Sequence, residues 1–340
     1  MSTCESDNES HGDIGIKVSS IGVIFVGSFL GAWFPVFASR KRSLAFPSWT
    51  LFAAKYFGSG VIVATAFIHL LAPAHEALLH PCLTGPITGY PWVEGICLMS
   101  VFAMFFVEFF SIRYNKFGHS QGPLEMHTRV PAREDRKSFR SDSVTGLDNV
   151  SSSSLPSPAR EAERASAGAQ GNTKSESYAV QLTGVFILEF GVIFHSVFIG
   201  LTLAVAGKEF KMLYGVLALH QTFEGLALGS RLASIEWPHR RRYTPLALAI
   251  FYALSTPGAL AIGLGLRTAY HPGSATALIT NGVFDSLSAG ILIYTGLVEL
   301  MAHDFVFNSD MQRAPLSQVL LALGTMCSGA FIMALLGNWA

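Results

Sequence analysis

Residues 191–229 read GVIFHSVFIGLTLAVAGKEFKMLYGVLALHQTFEGLALG. Two long apolar runs flank a five-residue connector, 207–211. Each run is long enough to cross a bilayer as a helix, and so short a connector makes the two helices antiparallel neighbours. Three ionisable side chains interrupt them: His195 in the first run, His220 and Glu224 in the second. Charged or titratable groups at bilayer depth are costly, so each calls for a functional account.

The rest of the chain has the same character. Of its 340 residues 50% are hydrophobic and only 14% charged, where a soluble domain carries about 25% charged residues. Apolar runs recur at 16–38, 52–72, 91–113, 180–206, 212–232, 245–266, 276–300 and 316–338. With no water in the bilayer core, such runs are helices that satisfy their own backbone. The expected fold is therefore an all-α membrane protein with eight transmembrane helices. Its parts are a tail (1–15), spans one to three (16–113), a polar loop (114–179) and spans four to eight (180–340). The loop holds SSSSLPSP and no apolar periodicity, a composition that predicts disorder. The tail carries Glu5, Asp7, Glu9 and Asp13, which is not the make-up of a cleavable signal peptide. Net charge is zero, so nothing suggests a nucleic-acid partner; the surroundings the chain asks for are lipid.

Basic residues orient the spans. Arg40, Lys41 and Arg42 follow span one, and Arg240, Arg241 and Arg242 lie between spans five and six. With the ten basic residues of the long loop set aside, 9 fall on that side, against Lys17, Lys208, Lys211 and Arg267 on the other. Both termini are thus expected outside and the long loop in the cytosol. Cys4 and Cys82 then share the oxidising side, either bridged to each other or as two free thiols.

His195 lies 11 residues before the end of span four, and His220 and Glu224 lie 8 and 12 residues after the start of span five. At about 1.5 Å per residue the three share one depth to within roughly 5 Å, near the midplane. His220 and Glu224, four apart, share a helix face. Two imidazoles and a carboxylate suit zinc or a similar borderline divalent metal. Three protein ligands leave the site open, as a carrier requires. The competing reading is of neutral core histidines beside a protonated or hydrogen-bonded glutamate; three such groups at matched depth on adjacent helices argue against it.

Ser196 and Gln221 adjoin the two histidines. They either add neutral oxygen ligands or hydrogen-bond helix to helix. Glu189 stands about 240° around the helix from His195, so it either lines the inner half of a pathway or pairs with another span. His69, with His75 and Glu76 just beyond it, forms either an outer metal-collecting vestibule or a solvated loop end. Glu94, Glu108, Asn281, Asp285 and Glu299 also fall inside spans; Glu94 and Glu299 are close enough to span ends to snorkel, and position assigns no role to the others.

HSVFIGLTLA in span four and HQTFEGLALG in span five resemble the ZIP (Zrt/Irt-like) family of metal transporters. GSGVIVATAFIHLLAPAHEAL and FDSLSAGILIYTGLVELMAHDF resemble it too, and the likeness covers all eight spans. CESDNE, AHEALLHPCLTGPITGYPWVEGI and LLGNWA are similar to fungal plasma-membrane zinc transporters. The resemblance implies a 3+2+3 arrangement with inverted repeats around spans four and five. It also implies transport into the cytosol, a homodimer, and metal ligation by His195, His220 and Glu224. Family members with a two-metal centre use positions equivalent to Ser196, Ile199 and Gln221; Ile199 offers no ligand, which implies one principal metal. The loop has only His119 and His127 where many members carry a His-X-His run, and position 74 is Ala where many have Asp.

The expected activity is zinc import, with the metal as substrate rather than resident cofactor. Broader iron and manganese import, a metal-sensing receptor and an intramembrane metalloenzyme are the alternatives. The His-Glu-X-X-His helix that would favour the enzyme is absent, and so is a folded cytosolic domain to relay a signal.

Overall fold

Unbroken apolar runs permit only helices here, and helices are what form. The computed structural model describes residues 14–40, 47–119, 158–207, 210–266 and 274–339, and every regular element among them is helical. In chain order these are α1 (Ile14–Arg40), α2 (Ser48–Ala64), α3 (Ala72–Leu78), α4 (Trp92–His119) and α5 (Pro158–Val205). They continue as α6 (Phe210–Ser234), α7 (Thr244–Leu266), α8 (Ala275–Tyr294), α9 (Ser309–Gln312) and α10 (Leu316–Leu336). A π-helical stretch, Thr65–Leu71, joins α2 to α3, and a second, Thr295–Phe307, continues α8.

Seven helical stretches among the described residues are long and apolar enough to cross a membrane: Ile14–Arg40, Trp49–Leu78, Trp92–Ser111, Leu182–Val205, His239–Leu266, Ala275–Phe307 and Leu316–Leu336. They match seven of the eight expected spans. The remaining helix, α6, has the length, but Lys211, His220, Gln221, Glu224 and Arg231 lower its hydropathy. The helices also reach into the polar segment, because α4 runs on to His119 and α5 starts at Pro158. Extending an existing helix adds one hydrogen bond per residue fixed, and AREAERASA (159–167) is rich in good helix formers. Residues 120–157 lie outside the described residues, as does Cys4.

Packing places α6 in the interior. It lies chiefly against α1 and α2, while α5 packs on α7, α2 on α10 and α4 on α8. The α1–α6 contact is made by small residues in both sequences. Gly27 and Gly31 of α1 meet Thr222, and Gly225 and Gly229 of α6 meet Ser28 and Ala32. A methyl group on Gly31 would run into the Thr222 carbonyl, and one on Gly229 into the Ala32 carbonyl. Each pair is spaced four residues apart, the Gly-x-x-x-Gly arrangement that brings helices close within a membrane. Lys17, near the start of α1, ties that helix to α5 as well. Its Nζ donates to the Ala204 and Ala206 carbonyls at 3.1 and 2.8 Å, satisfying the C-terminus of α5.

Outward-facing side chains are large and apolar. Phe102, Phe105, Phe106, Phe109 and Phe110 are exposed on α4, and Leu320, Leu321 and Phe331 on α10. Continuous apolar surface of this kind marks contact with lipid rather than water.

The α1–α6 approach generates a paired prediction. Gly229→Ala should lower the thermal midpoint in detergent by several degrees, since overpacking costs about 1–3 kcal/mol. Gly215→Ala on the same helix, with open space around it, should leave the midpoint unchanged or slightly raised. Equal midpoints for the two variants would remove the close approach as a determinant of stability.

Candidate metal centre

α5 and α6 present His195, His220 and Glu224 to one point. Their ligand atoms all lie within 4.8 Å of one another, and the three side chains are buried. Among the described residues no other group of three His, Cys, Asp or Glu side chains converges in this way. Nε2 of His220 lies 3.3 Å from Oε1 of Glu224, without the alignment of a hydrogen bond. The His195 and His220 rings stand 5.6 Å apart between centroids. Both ring nitrogens of His195, Nε2 of His220 and both Glu224 oxygens are buried with no hydrogen-bond partner in the protein. Buried polar atoms are nearly always paired. A converging set of unpaired lone pairs is what a dehydrated cation requires.

The neighbouring polar residues divide into two groups. Gln221 donates from Nε2 to the Ser196 hydroxyl at 3.2 Å and also to the Thr256 hydroxyl. Tyr252 donates to the Gln221 carbonyl at 2.6 Å. Ser196 and Gln221 therefore take part in hydrogen bonding that joins α5, α6 and α7. His69 is different. It is buried, and its ring stands 4.7 Å from that of His220, edge to face. Its Nε2 donates to the Met333 carbonyl at 2.9 Å, which leaves Nδ1 as the acceptor.

Position in the sequence put His69 near the end of its span, apart from the site. The π-helical stretch that contains it accounts for the difference, because a wider turn changes which side chains share a face. His75 lies farther out, its Nδ1 3.1 Å from Glu94, and both groups are half exposed. Glu76 is exposed. Glu189 is buried with both carboxylate oxygens unpartnered. Cys82 is disulfide-bonded, whereas Cys97 and Cys327 are free.

A cavity of about 360 Å³ leads to the site; His69, Glu76, His195, Ile199, His220 and Asp285 all border it. It is bordered by Gly337 after α10 and by Thr202 and Leu203 near the C-terminus of α5, where Lys17 also bonds. Asp285 is the functional candidate that sequence position did not single out, and its placement depends on how α8 packs against α5. A second cavity of about 200 Å³ lies toward the opposite face, bordered by Lys55, Arg231, Glu299, His303 and Asp304. It shares no lining residue with the first. Val192, Leu228, Leu292 and Leu300 pack in the core cluster around which these helices meet. Arg231 lies seven residues beyond Glu224 on α6, roughly 10 Å along the axis. There the Asp304 carboxylate is paired to Arg231 Nη2 at 2.5 Å and to Lys55 Nζ at 2.9 Å.

Comparison with known proteins supplies the context. A family model described as "ZIP Zinc transporter" matches residues 14–337. The chain is 38% identical over 412 residues to Zinc-regulated transporter 2 of Saccharomyces cerevisiae, covering 100% of this chain and 98% of that protein. It is 42% identical over 343 residues to Zinc-regulated transporter 1 of the same yeast, with coverages of 98% and 89%. Zinc-regulated transporter 1 of Schizosaccharomyces pombe is 36% identical over 364 residues, with coverages of 99% and 89%.

The ion pairs of Asp304 can be tested by stability alone. Asp304→Ala leaves two enclosed cations facing each other and should cost about 3 kcal/mol, read as a lowered unfolding midpoint. Adding Arg231→Leu should recover part of that loss. A double variant as unstable as the sum of the two single variants would show that the pair is not coupled.

Proposed function

The chain belongs to the ZIP zinc transporter family, and from that premise we propose that it carries zinc into the cytosol through the His195, His220 and Glu224 site. The observation that supports this reading is the cluster of buried, unpartnered ligand atoms on α5 and α6, reached by a cavity that His195 and His220 border. Zinc accepts imidazole and carboxylate ligands in an open, low-coordination site. The metal is substrate, so the site must also release it, and an incomplete protein shell favours release.

The protein is a multi-pass membrane protein, and in this reading α6 is its fifth crossing, which brings the total to eight. The arrangement is 3+2+3, with α1, α2–α3 and α4 forming one triplet and α7, α8 and α10 the other. The inverted-repeat relation pairs α1 with α7, α2–α3 with α8, α4 with α10, and α5 with α6. The packing follows that exchange: α1 on α6 corresponds to α7 on α5, and α2 on α10 corresponds to α8 on α4. The second helix of each triplet carries a π-helical stretch. Inverted repeats with a midplane site are a recurring transporter design.

Zinc enters from the outside, where both chain termini lie, past Glu76 and His69. It exchanges water for His195, His220 and Glu224. On the cytosolic side the route is closed by the apolar core beside Leu228 and by the Arg231–Asp304–Lys55 pairs. Inward release therefore requires α6 to shift relative to the helices carrying Lys55 and Asp304. Glu189 and the Glu299–His303 cavity lie on the inner half of that route.

His195→Ala and Glu224→Ala should each reduce radiolabelled zinc uptake to the background of a transport-deficient cell, with surface protein unchanged by cell-surface biotinylation. Uptake at the wild-type rate in both variants would remove the site from the transport pathway. Competition by excess iron or manganese in the same assay separates a zinc importer from a broader one.

A further inference from the structure

Asp285 lies on α8, outside the pair of helices that carries the three ligands. Its location is set by an aromatic clamp. Phe284 packs between Phe194 and Phe198 of α5, at centroid distances of 5.0 and 4.9 Å. Phe194 and Phe198 flank His195 along α5. The clamp thus fixes the residue after Phe284 beside the imidazole. Oδ1 of Asp285 lies 4.0 Å from Nδ1 of His195, and its side chain is 16% exposed at the cavity wall. Close helix packing at Gly191 against Ile291 and Leu292 holds the same register two turns farther along α8.

The geometry points to Asp285 as the positioning residue for His195, completing a carboxylate–histidine–metal relay once zinc is bound. This inference rests on the ligand set proposed above. A metal-binding histidine uses one nitrogen for the metal and donates from the other to an oxygen acceptor, which fixes both tautomer and ring plane. His195 has two buried nitrogens and no hydrogen-bond acceptor for either. His69, by contrast, has its Met333 carbonyl. Asp285 is the carboxylate facing the Nδ1 edge. The 4.0 Å separation exceeds a hydrogen bond by about 1 Å, and the cavity beside Asp285 gives its side chain room to close that gap. When Nδ1–H donates to Asp285, the Nε2 lone pair is directed at zinc with increased basicity. Asp285 touches the imidazole and not the metal.

The test uses the full-length protein purified in detergent, with zinc affinity measured by chelator competition and the first coordination shell by zinc X-ray absorption. Asp285→Ala should weaken zinc binding by about 10- to 100-fold while leaving the nitrogen and oxygen first shell unchanged. Asp285→Asn, which keeps the shape and an acceptor oxygen but not the charge, should lose less. Asp285→Glu should restore most of the affinity. His220→Ala and Glu224→Ala serve as reference variants that lose both affinity and a first-shell ligand.

Wild-type affinity in Asp285→Ala, with the reference variants impaired, overturns the positioning role and leaves the site intact. Loss of an oxygen from the first shell in Asp285→Ala also overturns it, because Asp285 would then be a ligand. Unimpaired binding in both reference variants refutes the ligand set itself, and the relay with it.

Discussion

A carboxylate and two imidazoles, held out of water without hydrogen-bond partners, are the constraint on which the rest of this structure depends. Burying such groups unpaired costs several kcal/mol in an apolar medium, and a membrane offers no water to soften that cost. The chain meets it by collecting the groups at one point on α5 and α6 and surrounding those helices with others. α6 carries too much polarity to face lipid, so it is enclosed. Enclosure demands close approach, and the paired glycines of α1 and α6 supply it. The glycine spacing and the ligand spacing on α6 are therefore linked. Gly225 and Gly229 face α1, and His220, on another face of α6, borders the cavity.

The two sides of the bundle are built differently. On one side a cavity reaches the ligand cluster directly. On the other, a carboxylate is held between two cations and apolar side chains fill the core. Ion pairs of this kind are weak contributors to net stability, since desolvation offsets most of the attraction. They are nevertheless costly to break one partner at a time, which suits a latch that opens and closes as a unit. Lys55, Arg231 and Asp304 come from three separate stretches of chain, α2, α6 and the π-helical stretch after α8.

Much of this was legible in the sequence because membrane helices write themselves as long apolar runs. Seven of the eight expected spans have the length and hydropathy of a crossing helix in the structure, and counting residues along two of them placed His195, His220 and Glu224 at one depth. What stayed hidden depended on departures from α-helical geometry and on packing between distant spans. His69 looked remote because its position was counted along a regular helix, while Thr65–Leu71 is π-helical. Asp285 was visible only as a costly residue without a partner. Its neighbour is 90 residues away in sequence, and only the Phe194–Phe284–Phe198 contact brings them together. The helical residues 158–179 were masked by polar composition, since composition reports burial and not whether a helix can continue into water.

Charge balance follows from the same arrangement. A divalent cation beside Glu224 alone leaves a net positive charge in a region of low dielectric, where uncompensated charge is expensive. Counted together, the Glu224 carboxylate and the Asp285 carboxylate of the proposed relay would offset one divalent ion. A monovalent ion would leave the assembly negative and a trivalent ion would leave it positive. Ile199 at the cavity wall adds no charge to that count. In the relay proposed above, one residue outside the ligand set would both orient His195 and offset the remaining charge of a divalent ion.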